Sequence, residues 1–360
     1  MRVLLSLLLA LLVAACATGD KFGAREVTFA ELDGWSFDNH VEALSTFIAS
    51  CETLAVKARP RTSGSGIAIS ESEWRSLCDD AKLSEFAPDA PRQFFERRFV
   101  PFRVNNNGKE EGLFTGYYEP VLYGSLKKQG DYKYPLHLPP PELASSKPYY
   151  THAEINRGAL KGRGFELVWV DDPVMKFFMQ IQGSGRVRLK NGQELYVGYA
   201  DGNGQPYVSL GKVMGDEGLL PKDQINFFTL RQWLYAHPRE AMDLMEQNPS
   251  YVFFKLHDTP AVGAVGVPLT PRRSIAIDSK YIPYGVPVYM ELELPALPNK
   301  SQTPFLRLMI AQDTGGAIRG PVRADIFFGP GEEAEYMAGY MKNRGRYVIL
   351  IPKEIADQLR

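Results

Sequence analysis

Ala311-Gln312-Asp313-Thr314-Gly315-Gly316-Ala317-Ile318-Arg319-Gly320, continued by Arg323-Ala324-Asp325-Ile326-Phe327-Phe328-Gly329, sets two aspartates on either side of a glycine-rich turn. Each adjoins an apolar run short enough for one strand, 305–312 before the turn and 326–328 after it. Upstream, Ser274-Ile275-Ala276-Ile277 runs into Asp278, a third strand that closes on a carboxylate. A lone aspartate at a strand end is ordinarily a turn or cap residue, but three such ends between 274 and 325 weaken that reading. Carboxylates at strand ends beside glycines can reach a groove. A partly buried carboxyl near another has its pKa raised, as a general acid requires. Asp278, Asp313 and Asp325 are therefore the candidate acid/base residues.

Outward from this block the pattern stays strand-rich. Residues 287–292 and 347–351 read as strands, with a helix at 332–342 before the last one. Short strands joined by Gly and Pro turns argue for a barrel rather than a doubly wound sheet. Strand-like pieces at 165–170, 177–181, 187–189 and 195–199, broken by Gly192, Gly202 and Gly204, mark a second β-rich region. Helices are expected at 225–236 and from Pro238 up to Asn248-Pro249. Residues 113–121 read as extended chain after the Asn105-Asn106-Asn107-Gly108 turn. Helical periodicity occupies 40–58 and 71–83, and Asp89 is placed as the N-cap of a third helix with Pro91 in its first turn.

The 360-residue chain has a formal net charge of -1 and no long run of like charge, which gives nucleic acid nothing to bind. Cys51 and Cys78 each lie on an apolar helical face; in an oxidising compartment they form a disulfide between the two helices, or else they are two buried thiols. None of His40, His137, His152, His237 and His257 has ligand spacing to another His or Cys, so no metal or cofactor is expected. At the start, Arg2 precedes an apolar run from Val3 to Ala14. A membrane span needs roughly 20 apolar residues, so the run reads as a signal peptide, residues 1–16. Val13-Ala14-Ala15-Cys16 resembles a bacterial lipobox, with Cys16 as the lipidated residue; the alternative is an ordinary cleaved signal with an incidental cysteine. Ala17 rather than Asp after the cysteine, by its resemblance to lipoprotein sorting signals, favours the outer membrane of a Gram-negative periplasm. Residues 17–27 would be a tether.

Some motifs mislead. Asp313-Thr314-Gly315 matches one loop of an aspartic protease, which needs two; only a homodimer would supply the second. Asp201-Gly202-Asn203-Gly204-Gln205 imitates a calcium loop, but Lys212 stands where a bidentate Glu is required. Gly183-Ser184-Gly185 lacks a strand–helix context for a dinucleotide.

Four blocks, in order, resemble the membrane-bound lytic murein transglycosylase A family. They are Phe114-Thr115-Gly116-Tyr117-Tyr118-Glu119-Pro120, Gln180-Ile181-Gln182-Gly183-Ser184-Gly185-Arg186, Asn248-Pro249-Ser250-Tyr251-Val252-Phe253-Phe254, and residues 313–329. The resemblance implies a mainly β fold with flanking helices: a double-psi β-barrel domain from 28–120 and 248–360, an inserted β-rich domain at 121–247, and a substrate groove between them. It further implies cleavage of the bond between N-acetylmuramic acid and N-acetylglucosamine in peptidoglycan, leaving 1,6-anhydromuramoyl ends. Asp325 would be the single acid/base and Asp313 its tuning neighbour. Thr115, Gly315 and Gly316 would contact sugar, faced by Gln182 and Ser184, while Tyr117 would stack on sugar or pack in the core. Implied partners are glycan strands, the membrane through Cys16, and other cell-wall synthetic or hydrolytic enzymes. Two rivals remain: a hydrolase using Asp313 and Asp325 as a pair, and a non-catalytic glycan-binding lipoprotein. Glu119, a carboxylate inside the first block, is expected to be solvated at the surface, the alternative being a role as a second acid.

Overall fold

The computed structural model describes residues 19–56, 62–85, 89–297 and 301–360; Cys16 and the signal segment lie outside them. The strands are β1 (Phe22–Glu26), β2 (Phe99–Asn106), β3 (Gly112–Glu119), β4 (Val121–Ser125), β5 (Tyr134–His137), β6 (Glu166–Val170), β7 (Ser184–Leu189), β8 (Glu194–Gly202), β9 (Val252–His257), β10 (Ser274–Ile277), β11 (Pro287–Leu294), β12 (Thr303–Asp313), β13 (Arg323–Pro330) and β14 (Lys342–Pro352). The helices are α1 (His40–Leu54), α2 (Glu71–Leu83), α3 (Ala90–Arg98), the single turn α4 (His152–Glu154), α5 (Pro173–Gln182), α6 (Leu210–Asp216), α7 (Phe227–Ala236), α8 (Pro238–Glu246) and α9 (Glu332–Tyr340).

β3, β13, β10, β12, β11 and β14 close into a six-stranded barrel. Closure comes from the length of β14: Lys342–Gly345 pair with β3, and the residues from Gly345 on pair with β11. Closing a sheet this way leaves no exposed ladder edge among the ring strands. β2 adds to the far end of β14, and β1 adds to β2. The tether expected at 17–27 is thus corrected: residues 22–26 form an antiparallel strand in register from Phe22 opposite Asn106 to Glu26 opposite Phe102. A short polar lead-in hides this because its strand character comes from its partner.

Helices α1 to α3 cover the barrel through an aromatic cluster of Phe47, Trp74, Phe94, Phe95 and Phe99. Cys51 and Cys78 join α1 to α2 as a disulfide, with Cα atoms 5.6 Å apart. Ser70 and Glu73 cap α2 reciprocally. Asp89 does precede α3, but at φ 58° and with no side-chain cap bond, so its expected capping role is corrected. Buried Arg273 bridges the barrel to α1 by donating to Glu42 of that helix at 3.1 Å and to both oxygens of Asp38 just ahead of it at 2.9 Å.

The second sheet has the order β5-β6-β4-β7-β8-β9. It includes β9, beyond the 121–247 segment read from the sequence: the Asn248-Pro249 boundary ends α8 without ending the unit. The strand expected at 177–181 is instead part of α5. Asp172 Oδ1 accepts from Val174 N and Met175 N, Pro173 opens the helix, and Gly183 at φ 80° ends it. A five-residue segment with four apolar side chains fits either period; the caps decide.

Candidate active site

Strand register builds the site. On β10, Ala276 pairs with Asp313 on one side and Asp325 on the other, and Asp325 pairs with Thr115 of β3. One row across four neighbouring strands therefore reads Asp313, Ala276, Asp325, Thr115. Adjacent strands lie roughly 4.8 Å apart, so the two aspartate backbones are about two strand spacings apart. Alternation assigns the faces. Ile275, Ile277, Phe114, Ala324 and Ile326 enter the main core, whereas Asp325 and Thr115, one residue out of step, point the opposite way beside Tyr117, Ala276 and Phe327. On β12, Gln312 turns to α1, donating to Thr46 O (3.0 Å) and Ser50 Oγ (2.8 Å), which turns Asp313 away from that helix.

Asp325 is partly exposed, yet protein surrounds it closely enough that burial raises its pKa; Arg323 and the Thr115 hydrogen bond oppose the rise. Thr115 Oγ1 donates to Asp325 Oδ1 at 2.7 Å and accepts from Arg323 Nη2 at 2.7 Å. Asp313 is also partly exposed, and burial pushes it up to about 6, with Asp325 adding to the rise. Both Asp313 oxygens are engaged: Tyr117 OH donates to Oδ2 at 2.9 Å and Ala264 N to Oδ1 at 3.0 Å. Tyr117 is core, with its ring against Phe327 at 5.2 Å, and its hydroxyl pKa is raised by burial and then by Asp313.

Asp278 staples the glycine loop by accepting from Gly320 N at 2.8 Å, and Thr314 Oγ1 donates to Ile277 O at 2.8 Å. Gly315 and Gly316 lie on this loop beside Asp313, and a Cβ at Gly316 would meet no atom within 4 Å. From the second unit, Gln182 reaches β3, where its Oε1 accepts from Tyr118 N at 3.0 Å. Ser184 is buried at the start of β7. Glu119 corrects its expectation: only 1% exposed, it pairs with Arg186 at 2.7 Å and accepts from Ala261 N at 3.2 Å, joining the two units. A surface depression of about 520 Å³ on the second unit, lined by residues including Tyr123, Asp172 and Tyr235, contains none of these site residues.

Sequence reasoning missed the Ala264 amide and the link from Arg323 to Thr115. Arg323 stands two residues before Asp325, and in a strand that starts at Arg323 rather than at 326 alternation puts both on one face.

Residues 113–255 match the model of the MltA specific insert domain and residues 273–351 that of the 3D domain. The solved membrane-bound lytic murein transglycosylase of Agrobacterium tumefaciens superposes with a TM-score of 0.84 at 32% identity, covering 94% of this chain and 100% of that one. This chain belongs to the membrane-bound lytic murein transglycosylase A family. The Escherichia coli K12 relative of that name is 38% identical over 241 residues, 66% of this chain. The match spans 65% of that relative's own length. An Escherichia coli MltA structure with bound chitohexaose aligns with a TM-score of 0.69 at 31% identity, covering 87% of this chain and 90% of the other. The two matched family segments contribute the two halves of the site: the insert model takes in Thr115, Tyr117 and Gln182, and the 3D model Asp278, Asp313 and Asp325.

Proposed function

We propose that this chain is a peptidoglycan lytic transglycosylase in which Asp325 alone serves as acid and then base. The observation that carries the reading is the Asp325 carboxyl: raised in pKa, partly exposed, with a hydroxyl on one oxygen and, among the described residues, no hydrogen-bond partner on the other. A protonated Asp325 gives its proton to the glycosidic oxygen between N-acetylmuramic acid and N-acetylglucosamine. The C1–O bond breaks, its electron pair leaves with that oxygen, and positive charge develops at C1. The ionised carboxylate then takes the proton of the sugar's own C6 hydroxyl as that oxygen closes on C1, giving a 1,6-anhydro end. Intramolecular attack replaces water, and effective molarities for such nucleophiles reach about 10⁵–10⁸ M. Asp313, held by two donors, acts as a fixed negative neighbour. The binding of chitohexaose by the Escherichia coli relative supports a glycan in the cleft beside this row. The relatives' description as membrane-bound supports a Gram-negative envelope location, with Cys16 as a lipid anchor at the outer membrane.

One observation favours a second reading. Asp313 is pushed up to about 6, so it too holds a proton well above the usual carboxylate range. That would suit a hydrolase using both carboxylates. Two experiments separate the readings. Soluble products from sacculi are weighed: a transglycosylase releases muropeptides one water lighter than reducing ends, whereas a hydrolase releases the reducing ends themselves. Asp325→Asn should lower turnover by about 10²–10⁴-fold, the usual worth of a general acid; a variant within a few-fold of the parent would remove Asp325 from the role.

A further inference from the structure

The hydroxyl of Thr115 sits between a group that can only donate and a carboxyl that can accept. Arg323 Nη2 lies 2.7 Å from Thr115 Oγ1, and a guanidinium has no acceptor, so this bond runs from arginine to threonine. A hydroxyl has one proton, and pointing it at Asp325 Oδ1, 2.7 Å away, satisfies it; the reverse bond would leave it without a partner. We infer that Arg323 and Thr115 are positioning residues that commit the Thr115 proton to Asp325 Oδ1 and so place the transferable proton of Asp325 on Oδ2. The inference deepens the acid/base reading of Asp325 and rests on it.

The arrangement does two things for the reaction. Before proton transfer, it defines which oxygen is the acid, because an oxygen already accepting a hydrogen bond is the poorer place for a second hydrogen. After transfer, the negative charge left on Asp325 meets a hydroxyl dipole whose oxygen is polarised by a cation. Arg323 lies on β13 itself, and its Nη1 also donates to Ala324 O, so the guanidinium is fixed to the strand that carries the acid. The other charged or titratable groups around Asp325 are Asp313 on β12, Tyr117 on β3, and exposed Lys342, which pairs with Thr115 from β14. Asp313 and Tyr117 are already bonded to each other, and Lys342 sits on β14, so among the described residues Thr115 is the donor on the carboxyl, with the Arg323 charge behind it.

The test titrates Asp325 directly by ¹³C NMR of carboxyl-labelled aspartate, the signal assigned by its loss in Asp325→Asn, alongside steady-state turnover. In Thr115→Val the Asp325 pKa should rise, since a hydrogen bond favouring the ionised form is gone. kcat should fall about 10–100-fold, the scale of a misplaced reacting group, with KM within about twofold. Thr115→Ser keeps the hydroxyl and should restore both. Arg323→Gln leaves Thr115 in place and should raise the same pKa, so the inference does not hang on one variant folding. An Asp325 titration unmoved in Thr115→Val or in Arg323→Gln overturns the inference, as does a loss that appears in KM alone. Full turnover in Asp325→Asn would instead sink the acid/base assignment, a result the titration of the other variants does not mimic.

Discussion

Asp313 and Asp325 face the same side of the barrel, yet they are held differently. Donors occupy both Asp313 oxygens, while one oxygen of Asp325 carries the Thr115 bond. A carboxyl whose pKa is raised by burial holds its proton longer in the folded state than in the unfolded chain. For Asp313 the window runs from the ordinary 3.8 to about 6. Stability is therefore lost as pH rises through that window, and at pH 7 the ionised group carries the full penalty. Asp313→Asn should raise the melting temperature at pH 7 by the equivalent of about 1–3 kcal/mol and show little gain near pH 4. A single melting series at the two pH values checks it. If Asp313 only tunes its neighbour, the same variant keeps turnover and moves its basic limb to lower pH, because a negative neighbour has been removed. If it abolishes turnover while folding normally, Asp313 is an acid in its own right.

At the scale of the element, β3 shows what a motif is for. In Phe114-Thr115-Gly116-Tyr117-Tyr118-Glu119, alternate residues serve different neighbours. Phe114 enters the core, Thr115 meets Asp325, Tyr117 meets Asp313, and Glu119 meets Arg186 of the second unit. Gly116 makes room for the Phe328 ring of β13 and for α9, since a Cβ there would lie 2.4 Å from that ring and 3.1 Å from Ala338 Cα. Gly116→Ala should cost about 1–3 kcal/mol by overpacking, read as a fall in the denaturant midpoint, and should lower turnover too because β3 carries Thr115. An unchanged midpoint would mean that the Phe328 ring and α9 can both move aside freely. The separate strands of this region were legible in the sequence, because alternation is local. Their pairing was not: Thr115 and Asp325 are 210 positions apart, and nothing along the chain announces a parallel pairing of β3 with β13. For the same reason Arg323 could not be given its threonine. The helix α5 was misread where a short apolar segment fits either period.

Across the whole molecule, the two units differ in what they bury. In the barrel unit most buried polar groups are held in pairs such as Arg273 with Asp38, Arg103 with Glu291 and Gln312 with Ser50. The second unit gathers titratable nitrogens around Tyr251. His137 Nδ1 lies 2.7 Å from the Tyr251 hydroxyl, and Lys176 lies over the Tyr251 ring at 5.5 Å. His152 stacks on Phe177, and among the described residues its Nδ1 has no partner. Burial, reinforced by the Lys176 charge, lowers His137 from 6.5 to about 3 and His152 to about 4. Below pH 6.5 the unfolded chain takes up protons that the folded unit refuses, so stability falls as pH drops, by about 1.4 kcal/mol per pH unit for each histidine. The loss continues down to each folded value and falls mainly on the second unit, which holds both of these histidines; buried His40 of α1, also lowered by burial, adds to it on the barrel side. Calorimetry between pH 7 and pH 5 should show the transition of the second unit moving down. His152→Phe keeps an aromatic ring against Phe177 while removing one titration, and it should shrink that shift by about half. If the variant melts with the parent's full pH dependence, buried histidines are not the source of the acid sensitivity. Because Gln182 ends α5, the helix that carries Lys176, loosening of this core should reach β3 through Tyr118, and on the proposed function acid should weaken glycan binding before the barrel melts.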